Sequence, residues 1–282
     1  MTSLLTLKGY VNTWDCDEND HQNVQFYMRS FEDAGAHFQS LAGVPAADRR
    51  QPDVRHVRYH SELRVNEALH VETHGVGDRQ AVHLLYEAAT GRLSATCLET
   101  YEDPPQALAE ALARNGADLP DAARPRSLAA IPAASGPHGA SPPGGELVLR
   151  TRLRAQHCDA DGAAFASAFV GFNSDSAAHF WDVVGVNGPW LTERNLGRVA
   201  VEMKFTRVRG AAFGDLLHIV SRPTAVARST ITFENRFVRT DTDEVAAIIE
   251  VTGLTMNLST RRAEPLPEDL KTRTESRIAG QA

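Results

Sequence analysis

At 282 residues the chain has room for one large domain or for two of about half that size, each able to bury a core. Hydrophobic residues make up 42% and charged residues 23%, which excludes a fibrous or wholly disordered chain. Lysine and arginine number 29 against 36 acidic residues, a formal charge of −7 that argues against nucleic-acid binding but leaves a phosphate-bearing small molecule open. The three cysteines, Cys16, Cys97 and Cys158, are too few for a disulfide scaffold and lack zinc-site spacing, so no metal is expected and a cytoplasmic setting is. The apolar stretch Leu4 to Leu7 is too short for a signal core or a membrane span, and no membrane association is expected.

In chain order, an early strand is followed by a polar run, Trp14 to Asn23, and then by a helical period. Val24, Tyr27, Phe31, Ala34, Phe38 and Leu41 recur at steps of three and four, the buried face of one long helix. The period then changes to two at Val57, Tyr59, Ser61, Leu63 and Val65, and further strands are expected at Leu69 to Gly75, Ala81 to Ala88 and Leu93 to Tyr101. Pro104 to Gly116 reads as a short helix opened by prolines and stopped by glycine. From Pro120 to Gly145, 17 of 26 residues are proline, alanine or glycine, the composition of a linker.

Beyond the linker the same order returns. With a constant offset of 142 residues, Cys16-Asp17 falls on Cys158-Asp159, Asp33 on Asp175, Ala36-His37-Phe38 on Ala178-His179-Phe180, and Gly43-Val44 on Gly185-Val186. Phe165, Phe169, Phe172, Ser176, Phe180 and Val183 mark a second long helix, and Val199, Val201, Met203 and Phe205 alternate as a strand. Strands are expected again at Asp215 to Ser221, Ser229 to Val238 and Val245 to Met256. The chain thus divides into a first unit at 1–103, a short helix and linker at 104–145, a second unit at 146–260 and a polar tail at 261–282. One helix on one sheet leaves apolar surface uncovered, and pairing the two units as an intramolecular pseudo-dimer would bury it. His37 and His179 are expected to pack between them.

The run from Trp14 to Asn23 holds four acids, a histidine and amide side chains directly before a helix. Free N–H groups at a helix start stabilise developing negative charge, so an oxyanion at the Val24 N–H would be favoured, and a nearby carboxylate could attack a carbonyl or activate water. Asp20 and Asn23 also suit ordinary helix capping, and His21 a loop-holding role. Cys16 and Cys158 lack a histidine partner in sequence and read as small buried residues.

These residues carry a resemblance. Asp15, Asp17, His21, Asn23, Tyr27, Phe31 and Glu32 match the pattern D-x-D-x-x-G-H-x-N-N-x-x-Y-x-x-x-F-E of hotdog-fold acyl-CoA thioesterases of the 4-hydroxybenzoyl-CoA thioesterase type, with departures at Asp20 and Val24. The resemblance implies an α+β fold of two hotdog units, each a long helix wrapped by an antiparallel sheet, in a tandem arrangement like that of double-hotdog thioesterases. It implies that Asp17 is the catalytic carboxylate, that the Val24 N–H polarises the thioester carbonyl, and that His21 and Asn23 orient water or the loop. In the second unit Cys158-Asp159-Ala160-Asp161-Gly162 keeps part of the pattern, leaving Asp159 a candidate second carboxylate, while Ala163 and Phe165 replace the histidine and asparagine.

The implied function is hydrolysis of an acyl-CoA thioester, with coenzyme A as part of a small-molecule substrate and no separate cofactor. Homo-oligomers of such double-unit chains are compatible with this reading. Arg49, Arg50 and Arg58 are candidates to meet the nucleotide phosphates, with solvent exposure as the alternative. Two rivals remain. A hotdog hydratase or dehydratase resembles D-x-N-P-x-H, whereas Asp17-Glu-Asn19-Asp-His21 is one residue shorter and lacks the proline. A non-catalytic acyl-thioester-binding or assembly protein is the other. No G-x-G-x-x-G or phosphate-loop pattern occurs.

Overall fold

A computed structural model describes residues 3–130 and 139–280. The remaining part of the expected linker, 131–138, lies outside the described residues. The chain forms two compact units, residues 1–130 and 131–282, of the α+β class expected, each pairing helix with antiparallel sheet.

In the first unit β1 (Leu4–Tyr10) leads through the polar loop into α1 (Val24–Leu41), followed by β2 (Val54–Tyr59), β3 (Ala68–Val76), β4 (Gln80–Glu87), β5 (Leu93–Thr100) and α2 (Gln106–Arg114). The strands lie in the order β1-β3-β4-β5-β2, every neighbour antiparallel. Consecutive β3, β4 and β5 are joined by tight turns, whereas β1 and β2 take the two edges of this set because α1 separates them in sequence. The helix lays Tyr27, Met28, Phe31, Ala34, Gly35, Phe38 and Gln39 against the sheet, and the periodic residue Leu41 instead points outward, 60% exposed. α2 covers another part of the core with Leu108, Ala111 and Leu112. It approaches β3 so closely that a Cβ at Gly75 would collide with the Leu112 carbonyl, and Gly75 N–H donates to Asn115 O at 3.0 Å.

The second unit repeats this plan with β6 (Glu146–Arg152), α3 (Ala166–Asp175), α4 (Ala177–Asp182), α5 (Gly188–Arg194), β7 (Leu196–Arg207), β8 (Leu216–Val226), β9 (Thr230–Arg239), β10 (Val245–Asn257), β11 (Arg262–Ala263) and α6 (Glu268–Ala279). Its strand order, β6-β8-β9-β10-β7 with β11 on β10, mirrors the first unit's. The long helix expected here is divided at Ser176, whose hydroxyl donates to the Asn173 carbonyl at 2.9 Å, a back-bond that disturbs regular helix. α5 carries too few residues to show a period, which is why sequence reading passes over it. Beyond 261, in the expected polar tail, α6 docks on β8 and buries Leu270 and Thr274. His37 and His179 stand exposed on their helices.

Beneath α1 the first sheet is crossed by a buried polar stripe. Arg55 on β2 lies opposite Glu99 on β5, with Arg55 Nε 2.9 Å from Glu99 Oε1 and its Nη1 3.6 Å from Glu32 Oε1 on the helix. Glu99 Oε2 also accepts the Tyr101 hydroxyl at 2.8 Å and lies 3.2 Å from His83 Nε2, whose Nδ1 is 2.7 Å from Thr73 Oγ1. Gly35 lets the helix backbone approach that carboxylate: a Cβ there would lie 3.1 and 3.2 Å from its two oxygens. Farther along the helix the Gln39 amide donates to Arg50 O at 2.8 Å and accepts from Arg50 N–H at 3.0 Å. These contacts tie α1 to polar groups of the sheet and of the loop before β2, a restriction that apolar packing alone does not impose.

Burial opposes ionisation of Glu99, but His83, Arg55 and the Tyr101 hydroxyl outweigh it and hold the carboxyl at about 2. A carboxyl whose folded pKa is depressed contributes stability above its unfolded pKa and loses it as pH falls through the folded value. Glu99→Gln is therefore expected to cost about 3–5 kcal/mol at pH 7 in urea unfolding, by stranding Arg55. The difference from wild type should shrink as the pH is lowered from the ordinary value of 4.5 towards about 2.

Candidate active site

The polar loop folds by local rules. A short 3-10 turn, Thr13–Asp15, is closed by Asp15, whose Oδ2 accepts the Asn12 N–H at 3.0 Å. Asp15 is buried, and its Oδ1 lies 3.6 Å from Arg29 on α1, so the first aspartate of the motif serves the loop's structure. Next comes a tight hairpin in which Asp17 N–H donates to His21 O at 3.0 Å and Asp20 N–H to Asp17 O at 3.1 Å. Such a turn ends on a left-handed residue. Asp20 fills that place with φ 66°, and Gly162 fills it in the second unit with φ 82°, which explains why glycine suits the position.

The loop presents Asp17 and His21 side by side. Asp17 Oδ1 accepts the Asn19 N–H at 2.9 Å and lies 3.4 Å from His21 Nδ1. Burial pushes the Asp17 carboxyl above the ordinary aspartate range, and the facing His21 draws it part of the way back. His21 is 8% exposed, and its Nε2 has no hydrogen-bond partner among the described residues. That atom lies 4.0 Å from Glu62 Oε1. Glu62 belongs to the loop that follows β2, which is pinned to the motif by Gln22 N–H donating to Leu63 O at 2.7 Å and Leu63 N–H donating to the Tyr27 hydroxyl at 3.0 Å. Sequence reading carried the strand alternation through this loop to Val65 and passed over Glu62. Its single available signal was an acid amid apolar alternating positions.

Asn23 is the N-cap of α1, its Oδ1 accepting the Gln25 N–H at 2.9 Å and its carbonyl the Phe26 N–H at 2.9 Å. Val24 opens the helix, and its N–H has no acceptor among the described residues. Burial, followed by the carboxylates of Asp20, Asp17 and Asp15, pushes the Cys16 thiol up, an environment unsuited to a thiolate nucleophile. Among the described residues no group of three or more His, Cys, Asp and Glu is placed to hold a metal ion. The arginines considered for phosphate contact hold the chain itself. Arg49 reaches Val44 O and Ser40 Oγ, Arg50 reaches Ala47 O and Arg49 O, and Arg58 bonds the carbonyls of Asp121, Ala122 and Arg124.

The second unit builds the same hairpin without the same chemistry. Asp159 N–H donates to Ala163 O at 2.9 Å and Gly162 N–H to Asp159 O at 3.0 Å, while Asp159 Oδ1 accepts the N–H groups of Asp161 and Ala163 at 3.1 and 2.9 Å. His157 stands where Asp15 does, its Nδ1 accepting the Arg154 N–H at 3.1 Å. Phe165 occupies the N-cap of α3 without a side-chain cap, and Ala163 offers no imidazole to Asp159.

The chain matches the family described as the thioesterase-like superfamily over residues 11–101 and 153–274, both units, and it belongs to that family. No curated protein matches the sequence. Among solved structures, a protein of Lactobacillus plantarum assigned as an oleoyl thioesterase is similar with a TM-score of 0.63 and 10% identity, over 90% of this chain and 97% of that one. An acyl-ACP thioesterase of Bacteroides thetaiotaomicron is similar with a TM-score of 0.61 and 11% identity, over 88% and 96%. The 12:0-ACP thioesterase of Umbellularia californica has a TM-score of 0.61 and 9% identity, over 88% and 93%. At such identities the likeness is one of fold, the tandem hotdog. Family membership and fold together support thioesterase chemistry on an acyl thioester. Among the described residues no helix is long and apolar enough to cross a membrane.

Two outcomes are expected from the loop's geometry. Because the fold disfavours the ionised Asp17, stability falls as pH rises towards its raised folded pKa, and removing the charge relieves this cost. Asp17→Asn, which keeps an acceptor for the Asn19 N–H, should therefore raise Tm at pH 7. Asp20→Gly should hold or raise stability by up to about 1 kcal/mol, whereas Asp20→Val should lower it by about 1–2 kcal/mol, read by thermal melts.

Proposed function

We propose that the chain hydrolyses an acyl-CoA thioester to the free acid and coenzyme A at the Asp17 loop of the first unit. The observation that carries this reading is a half-buried carboxylate, raised in pKa and paired with His21, directly before the N-terminus of α1 in a chain of the thioesterase-like superfamily. As general base, the Asp17 carboxylate takes a proton from water, whose oxygen bonds to the thioester carbonyl carbon. The displaced carbonyl electron pair gathers on oxygen, where the Val24 N–H and the helix start offset its charge. Collapse restores the carbonyl and breaks the C–S bond, and the departing thiolate takes the proton from Asp17. Direct attack by the carboxylate, giving an anhydride that water then opens, uses the same geometry. Asn23 fixes the helix start, and His21 fixes the Asp17 carboxylate.

Asp159, whose oxygen is engaged by its own turn and which faces Ala163, is read as a scaffold residue, so turnover is assigned to one site per chain. The 4-hydroxybenzoyl-CoA thioesterase type is the assignment the motif supports, with coenzyme A preferred to a carrier protein because the second unit lacks an Asn and His pair at the matching loop.

Thiol release from short, medium, branched and aromatic acyl-CoA esters, with acyl carrier protein thioesters in parallel, tests the reading. Asp17→Asn is expected to lower kcat by about 10²–10⁴. Asp159→Asn should stay within about twofold of wild type. Activity requires ionised Asp17, so kcat/KM should rise with pH through an apparent pKa above the ordinary 3.8. Equal losses in the two variants would show two working sites, and wild type inert on every ester would overturn hydrolysis in favour of a binding role.

A further inference from the structure

The two units provide an internal comparison that separates what the motif loop needs to fold from what else it carries. The loop that follows the second strand is repeated as faithfully as the motif hairpin, at an offset of 148 residues. Gln22 N–H donates to Leu63 O at 2.7 Å in the first unit, and Ala164 N–H to Ala211 O at 2.8 Å in the second. Asn66 N–H donates to Val11 O at 2.9 Å, and Gly214 N–H to Leu153 O at 3.1 Å. The side chains of Glu67 and Asp215 accept the N–H groups of Arg64 and Ala212 at 3.0 and 2.9 Å. By this alignment Asp17 matches Asp159, His21 matches Ala163 and Glu62 matches Gly210. The aspartate that makes the turn is present in both units. The histidine and the glutamate are present together in the first and absent together in the second.

Their joint presence has a geometric counterpart. The His21 ring lies between two carboxylates, with Nδ1 3.4 Å from Asp17 Oδ1 and Nε2 4.0 Å from Glu62 Oε1. His21 is buried, its side chain 11% exposed, and Nε2, without a hydrogen-bond partner among the described residues, has the Glu62 carboxylate as its charged neighbour. Glu62 is held from its other side, Oε2 lying 3.6 Å from Arg64, and its backbone is fixed by the Leu63 bonds to Gln22 and Tyr27. In a histidine the hydrogen bond made by one ring nitrogen decides what the other can offer. With hydrogen on both ring nitrogens the imidazole donates from Nε2 towards Glu62 and from Nδ1 towards the ionised Asp17, and the carboxylate at Nε2 fixes the ring plane in which Nδ1 meets Asp17. Contacts of this kind are often long without substrate and tighten when it binds.

We infer that Glu62 is a positioning residue of the active site, holding the His21 imidazole by Nε2 so that Nδ1 orients the Asp17 carboxylate. It acts through His21 and touches neither the substrate nor the reacting water. For its kinetic consequence the inference rests on the hydrolase reading, but the Glu62–His21 contact can be tested without turnover.

The experiment uses the full chain with ¹⁵N-labelled histidine. The His21 ring signals are identified by their loss in His21→Ala, then followed in Glu62→Gln and Asp17→Asn. Both substitutions are expected to move the His21 ring nitrogens while leaving those of His74 in place. In parallel, Glu62→Gln should lower kcat about tenfold with little change in KM. Added to His21→Ala it should produce no further loss, because the residue it acts through is gone. Unmoved His21 signals in Glu62→Gln, or a kcat loss that adds in full to that of His21→Ala, would overturn the inference. If wild type releases thiol from no ester, the hydrolase reading fails while the ring signals still decide the contact. Glu62→Asp, which keeps the charge and shortens the reach, serves as the second variant if Glu62→Gln does not fold, and should move the same signals by less.

Discussion

The arrangement of the first unit depends on the buried pairing of Arg55 with Glu99 beneath α1. Four ionisable side chains, Arg55, Glu32, His83 and Glu99, lie where such a helix and sheet could have met through aliphatic contacts alone. Leucine and phenylalanine packing tolerates small rotations, whereas the Arg55 guanidinium, hydrogen-bonded to Glu99 on the sheet and facing Glu32 on the helix, opposes them by charge. The rotation of α1 fixes the direction of its first N–H groups. It also sets the place of Arg29 against Asp15 and of the Tyr27 hydroxyl against the Leu63 N–H. The electrostatics of the core and the geometry of the loop are therefore one problem. The stripe costs desolvation energy but specifies how the loop meets the helix.

The loop itself is economical in what it asks of sequence. Asp15 closes a 3-10 turn, Asp17 nucleates a hairpin, Asp20 accepts a left-handed backbone and Asn23 caps the helix. Each of these polar residues has a folding duty, and only Asp17 combines that duty with a proposed chemical one. His21 is different: its carbonyl takes part in the hairpin, but its imidazole is not required by it, as Ala163 demonstrates in the second unit.

Much of this was legible beforehand. The helical period through Tyr27, Phe31 and Phe38 and the alternation in β3, β4, β5 and β8 to β10 follow from burial on one face, which period alone reveals. The repeat was visible in the constant offset of 142, and the candidate positions Asp17, His21, Asn23 and Val24 came from the polar run before the helix and the resemblance it carries. Three things were hidden, the last two because they are non-local. The break at Ser176 comes from a side-chain bond competing with helix. The polar stripe joins residues as far apart as Glu32 and Glu99, each of which reads singly as a surface charge. Glu62 meets His21 only because Gln22 and Leu63 bond across two loops. The arginines Arg49, Arg50 and Arg58 illustrate the converse: a guanidinium that looks available in sequence is often spent on nearby carbonyls.

The position matching Glu62 has also diverged in backbone. Gly210 has a φ of 66°, left-handed territory in which a glutamate would be strained, and no such value is found at Glu62. Replacing two side chains would therefore not return the second unit to the state of the first; the chain path after β7 would have to revert as well. A difference of this kind works as a ratchet: a glutamate placed at a backbone still in the left-handed region is strained, so the steps between the two forms fold worse than either. A duplicated unit that reaches this point remains committed to whatever role its shape now serves.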